Sequence, residues 1–246
     1  MPSLTRKARF AKAANHDRFA KMQNATMSIQ PPDHPDAILP VDLAARLAAR
    51  LCHDFISPVS AIVSGIDLIE DPEQQDMREE AMSLIASSAR KLAALLSFSR
   101  IAFGGSTASE VFDCRELERL TRDFFEHARS QLDWQIEPAG LNKPGARALL
   151  NLAQLGAAVL PVGGTARLSA REEGSELHLE LHAEGARARM RPEATDGLEG
   201  RPFSEGLGGQ WVQAFFLRSI VDQAAGTLEY EAQEGLVTMR VKLPLE

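Results

Sequence analysis

The sequence predicts an α+β protein: an N-terminal antiparallel helical hairpin that forms a four-helix bundle on dimerisation, followed by an α/β sandwich. Two observations predict it. Between Val41 and Phe103 apolar residues recur at helical spacing, with one short interruption. Beyond Gly105 strand-like hairpins alternate with apolar helices, the pattern of a mixed sheet with helices on one face. A chain of 246 residues, 44% hydrophobic, can bury a substantial core, and its 6% aromatic content, with Ala and Leu abundant, favours helix in the first part.

Residues 1–38 differ from the rest. Arg6, Lys7, Arg9, Lys12, Arg18 and Lys21 make the start basic, and "IQPPDHPDAILP" is rich in proline. This reads as a disordered leader, and translation from Met22 or Met27 would account for it as well. Residues 39–104 are the hairpin. On its first helix, Val41 to Glu70, Ala44, Leu47, Leu51, Phe55, Ile62, Ile66 and Ile69 form one stripe. In "EDPEQQD" Asp71 suits a cap and Pro72 the first helical position, so a second helix is expected from about Pro72 to Phe103. Its stripe is Met77, Ala81, Leu84, Ile85, Ser88, Leu92, Leu95 and Leu96. A lone hairpin cannot bury both stripes along their whole length, and two copies can.

Residues 105–246 are the sandwich. "FDCRELERLTRDFFEHARS" reads as helix, "LDWQIEP" as strand and "KPGARALLNLAQLGAAVLP" as a buried helix ending before Gly163-Gly164. Two strands meet at Glu173-Gly174-Ser175, residues 186–205 read as a loop, "GGQWVQAFFLRSIVDQAAG" is a buried helix, and a last hairpin turns at Gln233-Glu234-Gly235.

A net charge of −7 speaks against a general nucleic-acid binder, which needs basic surface. No continuous apolar run has the length of a membrane span, and no secretory signal is visible, so no membrane partner and a cytoplasmic location are expected. Cys52 and Cys114 show no metal-ligand spacing, and Cys52 reads as a packing residue. His127, His178 and His182 join no constellation.

The stretch "LCHDFISPVS" carries the chemistry. At about 100° per residue, His53 lies opposite the apolar stripe, on a face with Arg46, Arg50, Ser57, Ser60 and Ser64. Direction therefore excludes a core histidine but not an ordinary surface one. Asp54 can polarise the ring and favour one nucleophilic nitrogen. Arg46 and Arg50 can attract a phosphoryl group or an acidic partner surface. Pro58 lacks the donor that would bond the Asp54 carbonyl, which predicts a loosened, solvated turn beside the histidine. No second histidine or cysteine stands three or four residues from His53, so no metal site is expected.

His53, Asp54, Phe55, Ile56, Ser57, Pro58 and Val59 resemble the phosphoacceptor box of two-component histidine kinases. The second half resembles a kinase ATP-binding domain that has lost its chemistry. In "NLAQLGAAVLPVGG" the metal-binding asparagine of such kinases is Leu155 and the lysine is Ala158. In "LHLELHAEGARARM" the adenine-reading aspartate is Ala183 and a loop glycine is Arg187. In "SEGLGGQWVQAFF" Gly206, Gly208 and Gly209 persist, but Gln210-Trp211 stand at the phosphate-cradling helix start. A leucine cannot hold Mg²⁺, which needs oxygen ligands.

Together these features resemble the ChpT-type histidine phosphotransferases over residues 40–246. The resemblance implies a homodimeric four-helix bundle and a degenerate ATPase-like domain. It implies relay of a phosphoryl group from the receiver domain of a hybrid histidine kinase, through His53, to response-regulator receivers. No cofactor is expected in the chain itself, the Mg²⁺ being supplied in the receiver. Asp54 would tune His53, and Ser57 would have a positioning or phosphatase role. Arg46, Arg50, Ile56, Ser60 and Ser64 would border the docking surface. The rivals are a non-catalytic dimeric adaptor for response regulators, separated by whether phosphate moves onto His53, and an active kinase, against which Leu155 and Ala183 speak.

Overall fold

The computed structural model describes residues 40–104, 111–201 and 209–245, the side chains of 209 and 210 excepted. The expected leader, Gly206 and Gly208 lie outside the described residues. Helix α1 runs Pro40–Glu70. Asp71 caps a short 3₁₀ stretch, Pro72–Met77, its carboxylate accepting from the Glu73 amide at 2.9 Å. Within that stretch Gln74 departs from helical geometry. Helix α2 proper is Arg78–Ala102, so it starts later than the cap and proline predict.

The hairpin seam is narrower than the two stripes. Pro58 and Gly65 of α1 are buried, as are Ala81 and Ser88 of α2. A Cβ on Gly65 would stand 2.7 Å from Ile85 Cγ1 and 3.1 Å from the Ala81 carbonyl, so glycine sets how closely the helices approach. Ile66, Met77, Leu84 and Leu96, members of the two stripes, are exposed in the single chain, together with Ile56, Val59, Val63 and Met82. On α1 these exposed residues recur at intervals of three and four, so they share a second apolar face beside the one that meets α2.

One expectation is corrected by these helices. Pro58 does not open a solvated turn: α1 continues through it, and its ring is buried in the hairpin, about 140° around the helix from His53. Both hairpin helices are also long and apolar enough, by length and composition, to cross a membrane, each with an 18-residue window holding two or fewer charges. Alanine between the larger side chains keeps the average apolar, while serine and glycine interrupt it, so no continuous run forms.

The ends of the hairpin enter the second half. Phe98, Ile101 and Ala102 belong to its core, and Leu43 and Leu47 pack against it. Phe98 stacks on Phe124 with centroids 4.6 Å apart. Strand β1, Val111–Asp113, pairs antiparallel with β3, Gly140–Asn142, in a two-stranded sheet too short to leave an alternation in the sequence. Between them lie α3, Cys114–Phe125, and β2, Gln131–Ile136. Helix α4, Lys143–Val159, is capped by Asn142 and begins Lys-Pro. Strands β4, Thr165–Glu173, and β5, Glu176–Glu184, form the first long hairpin. Helix α5, Pro192–Leu198, occupies the region expected to be loop: seven residues are too few for a periodic signal, yet Ala194, Gly197 and Leu198 are buried. Helix α6 is Gly209–Gln223, and β6, Thr227–Gln233, and β7, Leu236–Pro244, close the chain.

The main sheet has the order β2-β4-β5-β7-β6, parallel only between β2 and β4. Leu168, Leu179, Leu181, Met239 and Val241 bury one face beneath the helices. The other face carries charge pairs, such as Arg167 with Asp133 at 2.6 Å and Arg240 with Glu231 at 3.0 Å. This is the α+β order expected: a hairpin, then a mixed sheet with helices on one side.

A buried polar cluster joins the two parts. Asn151 of α4, fully buried, donates through Nδ2 to the Ala102 carbonyl at 3.0 Å and the Arg147 carbonyl at 2.8 Å. Its Oδ1 accepts from Gln213 Nε2 at 3.3 Å, and Gln213 also donates to Gln154. Ala102 ends α2, where no later turn of the helix can serve its carbonyl, and Asn151 supplies the donor.

Candidate functional site

His53 stands on α1 with 76% of its side chain exposed, away from the seam with α2. Its Nδ1 lies 3.3 Å from Asp54 Oδ1. The second oxygen of Asp54 accepts from Arg50 Nε at 2.8 Å, and both partners are largely shielded, with 19% and 23% of their side chains exposed. Four residues separate them, which puts Arg50 one turn below Asp54 on the same side.

The imidazole opens onto a groove of about 400 Å³ between the hairpin and the second half. One wall is Arg50, His53, Asp54, Ser57, Lys91 and Leu95; the other includes Phe124, His127, Ala128, Arg129 and Ala158. Arg129 is held there by donating to the Pro161 carbonyl at 3.1 Å. Three cations, Arg50, Lys91 and Arg129, face one carboxylate, Asp54, so the lining favours an anion. A larger hollow of about 730 Å³ lies on the open sheet face, and there Arg171 is engaged with Glu173 and Arg240 with Glu180.

The expected site residues separate into three groups. His53, Asp54, Ser57 and Arg50 line the groove together. Arg46 instead lies with its guanidinium 5.6 Å from the centre of the Trp211 ring, a cation–π contact. Ser60 and Ser64 are exposed further along α1, and Ile56, 59% exposed, belongs to the bare apolar face. His127, given no role from sequence, shares the groove with His53 because α3 ends opposite α1, a long-range contact with no local signal. His178 and His182 sit on the open sheet face beside carboxylates, His178 Nε2 3.3 Å from Glu176. No cluster of three or more metal-ligating side chains occurs among the described residues.

Three of the residues that the resemblance sets at kinase nucleotide positions are core, while Ala158 lines the groove and Arg187 is exposed. Leu155 and Ala183 are buried, and Trp211 is buried with its Nε1 donating to the Arg201 carbonyl at 3.0 Å and its ring stacked on Phe215. These side chains offer no oxygen to a cation and no carboxylate to a base.

Residues 114–235 match the model of the histidine phosphotransferase C-terminal domain family. The chain is 31% identical over 201 residues to the protein phosphotransferase ChpT of Brucella abortus (strain 2308), covering 80% of this chain and 94% of that one. It is similar in structure to a bacterial phosphotransferase known at 1.7 Å, with a TM-score of 0.75, 27% identity, and coverage of 84% of this chain and 98% of the other. The fold and these relatives define a phosphotransferase of the histidine class. Within that class the chain belongs to the ChpT-type family of histidine phosphotransferases.

Proposed function

We propose that His53 is the residue phosphorylated, accepting a phosphoryl group from the aspartate of one receiver domain and passing it to that of another. The observation that carries this is a solvent-facing imidazole with Asp54 at Nδ1, set in a groove lined by cations. With its proton held at Nδ1, the ring presents the Nε2 lone pair. Nε2 forms the N–P bond, the P–O bond to the receiver aspartate breaks, and the electron pair leaves on that carboxylate. The return step runs the same bonds in reverse. Little covalent chemistry is asked of the protein beyond positioning and charge. Ser57, on the same wall, borders the reacting group.

The partners in this reading are the receiver of a hybrid histidine kinase as donor and response-regulator receivers as acceptors. Mg²⁺ comes with the receiver, and no nucleotide is used, in keeping with the buried Leu155 and Ala183. Two chains pair through the bare apolar face of Ile56, Val59, Val63 and Ile66 with Met82 and Leu96 to make a four-helix bundle. A bilayer would be a poor cover for the same helices, because it would also take in the Arg50–Asp54 pair and His53. The protein then works in the cytoplasm.

The test is transfer of label from a phosphorylated receiver to the wild-type chain and to His53→Gln. Label on the wild type, none on a variant that still binds the receiver, is expected. Binding without transfer to the wild type would leave only an adaptor, and label from ATP and Mg²⁺ alone would make it a kinase.

A further inference from the structure

We propose that Arg50 is a positioning residue for phosphoryl transfer: by holding one oxygen of Asp54 it aims the other at Nδ1 of His53 and so leaves Nε2 as the attacking nitrogen. The inference rests on His53 being the phosphoacceptor. It adds to the role of bordering the docking surface that the sequence suggests for Arg50.

The geometry divides the Asp54 carboxylate. Oδ2 takes the Arg50 Nε–H at 2.8 Å, a length usual for a charge-assisted bond. Oδ1 faces His53 Nδ1 at 3.3 Å, the long end of a hydrogen bond, and rotation of the carboxylate would break it easily. Asp54 and His53 are neighbours in sequence and therefore about 100° apart around the helix, so nothing in helical geometry alone turns the carboxylate toward the ring. The tether to Arg50 supplies that orientation. Burial differs sharply along the chain of contacts: Arg50 and Asp54 are 19% and 23% exposed, His53 is 76% exposed. The pair that aims is shielded from salt, and the ring that reacts is not.

Arg50 has a second consequence. An unneutralised carboxylate beside the ring would repel an incoming anionic phosphoryl group. Paired with Arg50, Asp54 can accept from Nδ1–H without presenting net negative charge to the groove, where Lys91 and Arg129 remain to meet the phosphoryl oxygens. The Nδ1 proton stays on the ring during attack, and the positive charge that develops there faces Asp54.

The experiment uses the full chain labelled with ¹⁵N-histidine. Two-bond ¹H–¹⁵N correlations, with the His53 signal assigned by its loss in His53→Gln, read which nitrogen of the neutral ring carries the proton. The wild type is expected to carry it on Nδ1 and Arg50→Gln to move it toward Nε2. With a receiver charged by acetyl phosphate as donor, Arg50→Gln should lower kcat about tenfold, the scale of coupling within one hydrogen-bond network, with KM unchanged. Arg50→Lys should fall between, and in an Asp54→Asn background Arg50→Gln should add nothing. An unchanged tautomer, or a raised KM with kcat preserved, would overturn the proposal, as would additive losses in that background. Should Arg50→Gln fail to fold, Arg50→Lys and Asp54→Asn carry the same tautomer measurement. A wild-type chain that takes no phosphoryl group from any receiver sinks the phosphoacceptor reading itself, and the two failures are thereby told apart.

Discussion

Asn151 offers the sharpest quantitative test of how the hairpin is fastened to the sheet domain. Replacing it by alanine removes two donations to carbonyls and one acceptance from Gln213. The three losses are unequal. The Arg147 carbonyl is four residues back in α4 and keeps its helical partner, and Gln213 keeps Gln154. The Ala102 carbonyl, at the last turn of α2, loses the buried donor that serves it. At about 1 kcal/mol per neutral hydrogen bond, and about 1–3 kcal/mol for one buried group left unserved, Asn151→Ala should cost about 3 kcal/mol. Asn151→Asp should cost more, since a buried carboxylate would face two carbonyl oxygens at about 3 Å. Urea unfolding followed by far-UV circular dichroism, at one fixed protein concentration, measures both. The reasoning fails if Asn151→Ala lies within about 0.5 kcal/mol of wild type, the range of an inconsequential surface change, or if the aspartate variant is the more stable of the two.

Three further outcomes concern separate places in the molecule. On the proposed pairing, the wild type should be a dimer by light scattering and Val63→Glu, a charge set into the bare apolar face, a monomer with far-UV circular dichroism intact; a variant dimer would move the interface elsewhere. Gly65→Val should destabilise the hairpin by about 2 kcal/mol through overpacking against Ile85, and adding Ile85→Ala should recover part of the loss in thermal melts. Burial first, then the neighbouring Asp113 and Glu172 charges, push the Cys114 thiol up to about 11. In a Cys52→Ser background, thiol labelling at pH 8 should therefore be negligible until the chain is unfolded. Because the folded thiol ionises later than the unfolded one, its contribution to stability is complete below about pH 8.5 and is lost as pH rises toward 11, which alkaline melts would register.

The features legible in the sequence are those that repeat locally. The hairpin, the paired strands meeting at Gly174-Ser175 and at Glu234-Gly235, and the outward direction of His53 all come from periods of 3.6 and 2 and from glycine turns. Elements too short to show a period escape such reading, namely β1, β3 and α5. A helical wheel also places a single apolar stripe where α1 has two, because it counts apolar residues without knowing which of them meet α2. Pro58 shows its missing donor in the sequence, while the place of its ring in the seam does not show. The far wall of the groove, with His127 and Arg129, and the contact of Arg46 with Trp211 come from chain segments far apart in sequence. Asp54 beside His53 is legible as a neighbour, but the tether from Arg50 depends on side-chain direction that spacing alone does not give.

Helix α1 is occupied on nearly every side. One side is closed against α2 by Pro58 and Gly65, a second is the bare apolar row from Ile56 to Ile66, and a third presents His53 and Ser57 to the groove. Such a helix has little freedom to drift. A complete substitution scan of residues 50–66 should find few tolerant positions, and the intolerant ones should separate by what fails when they are changed: folding, pairing or transfer.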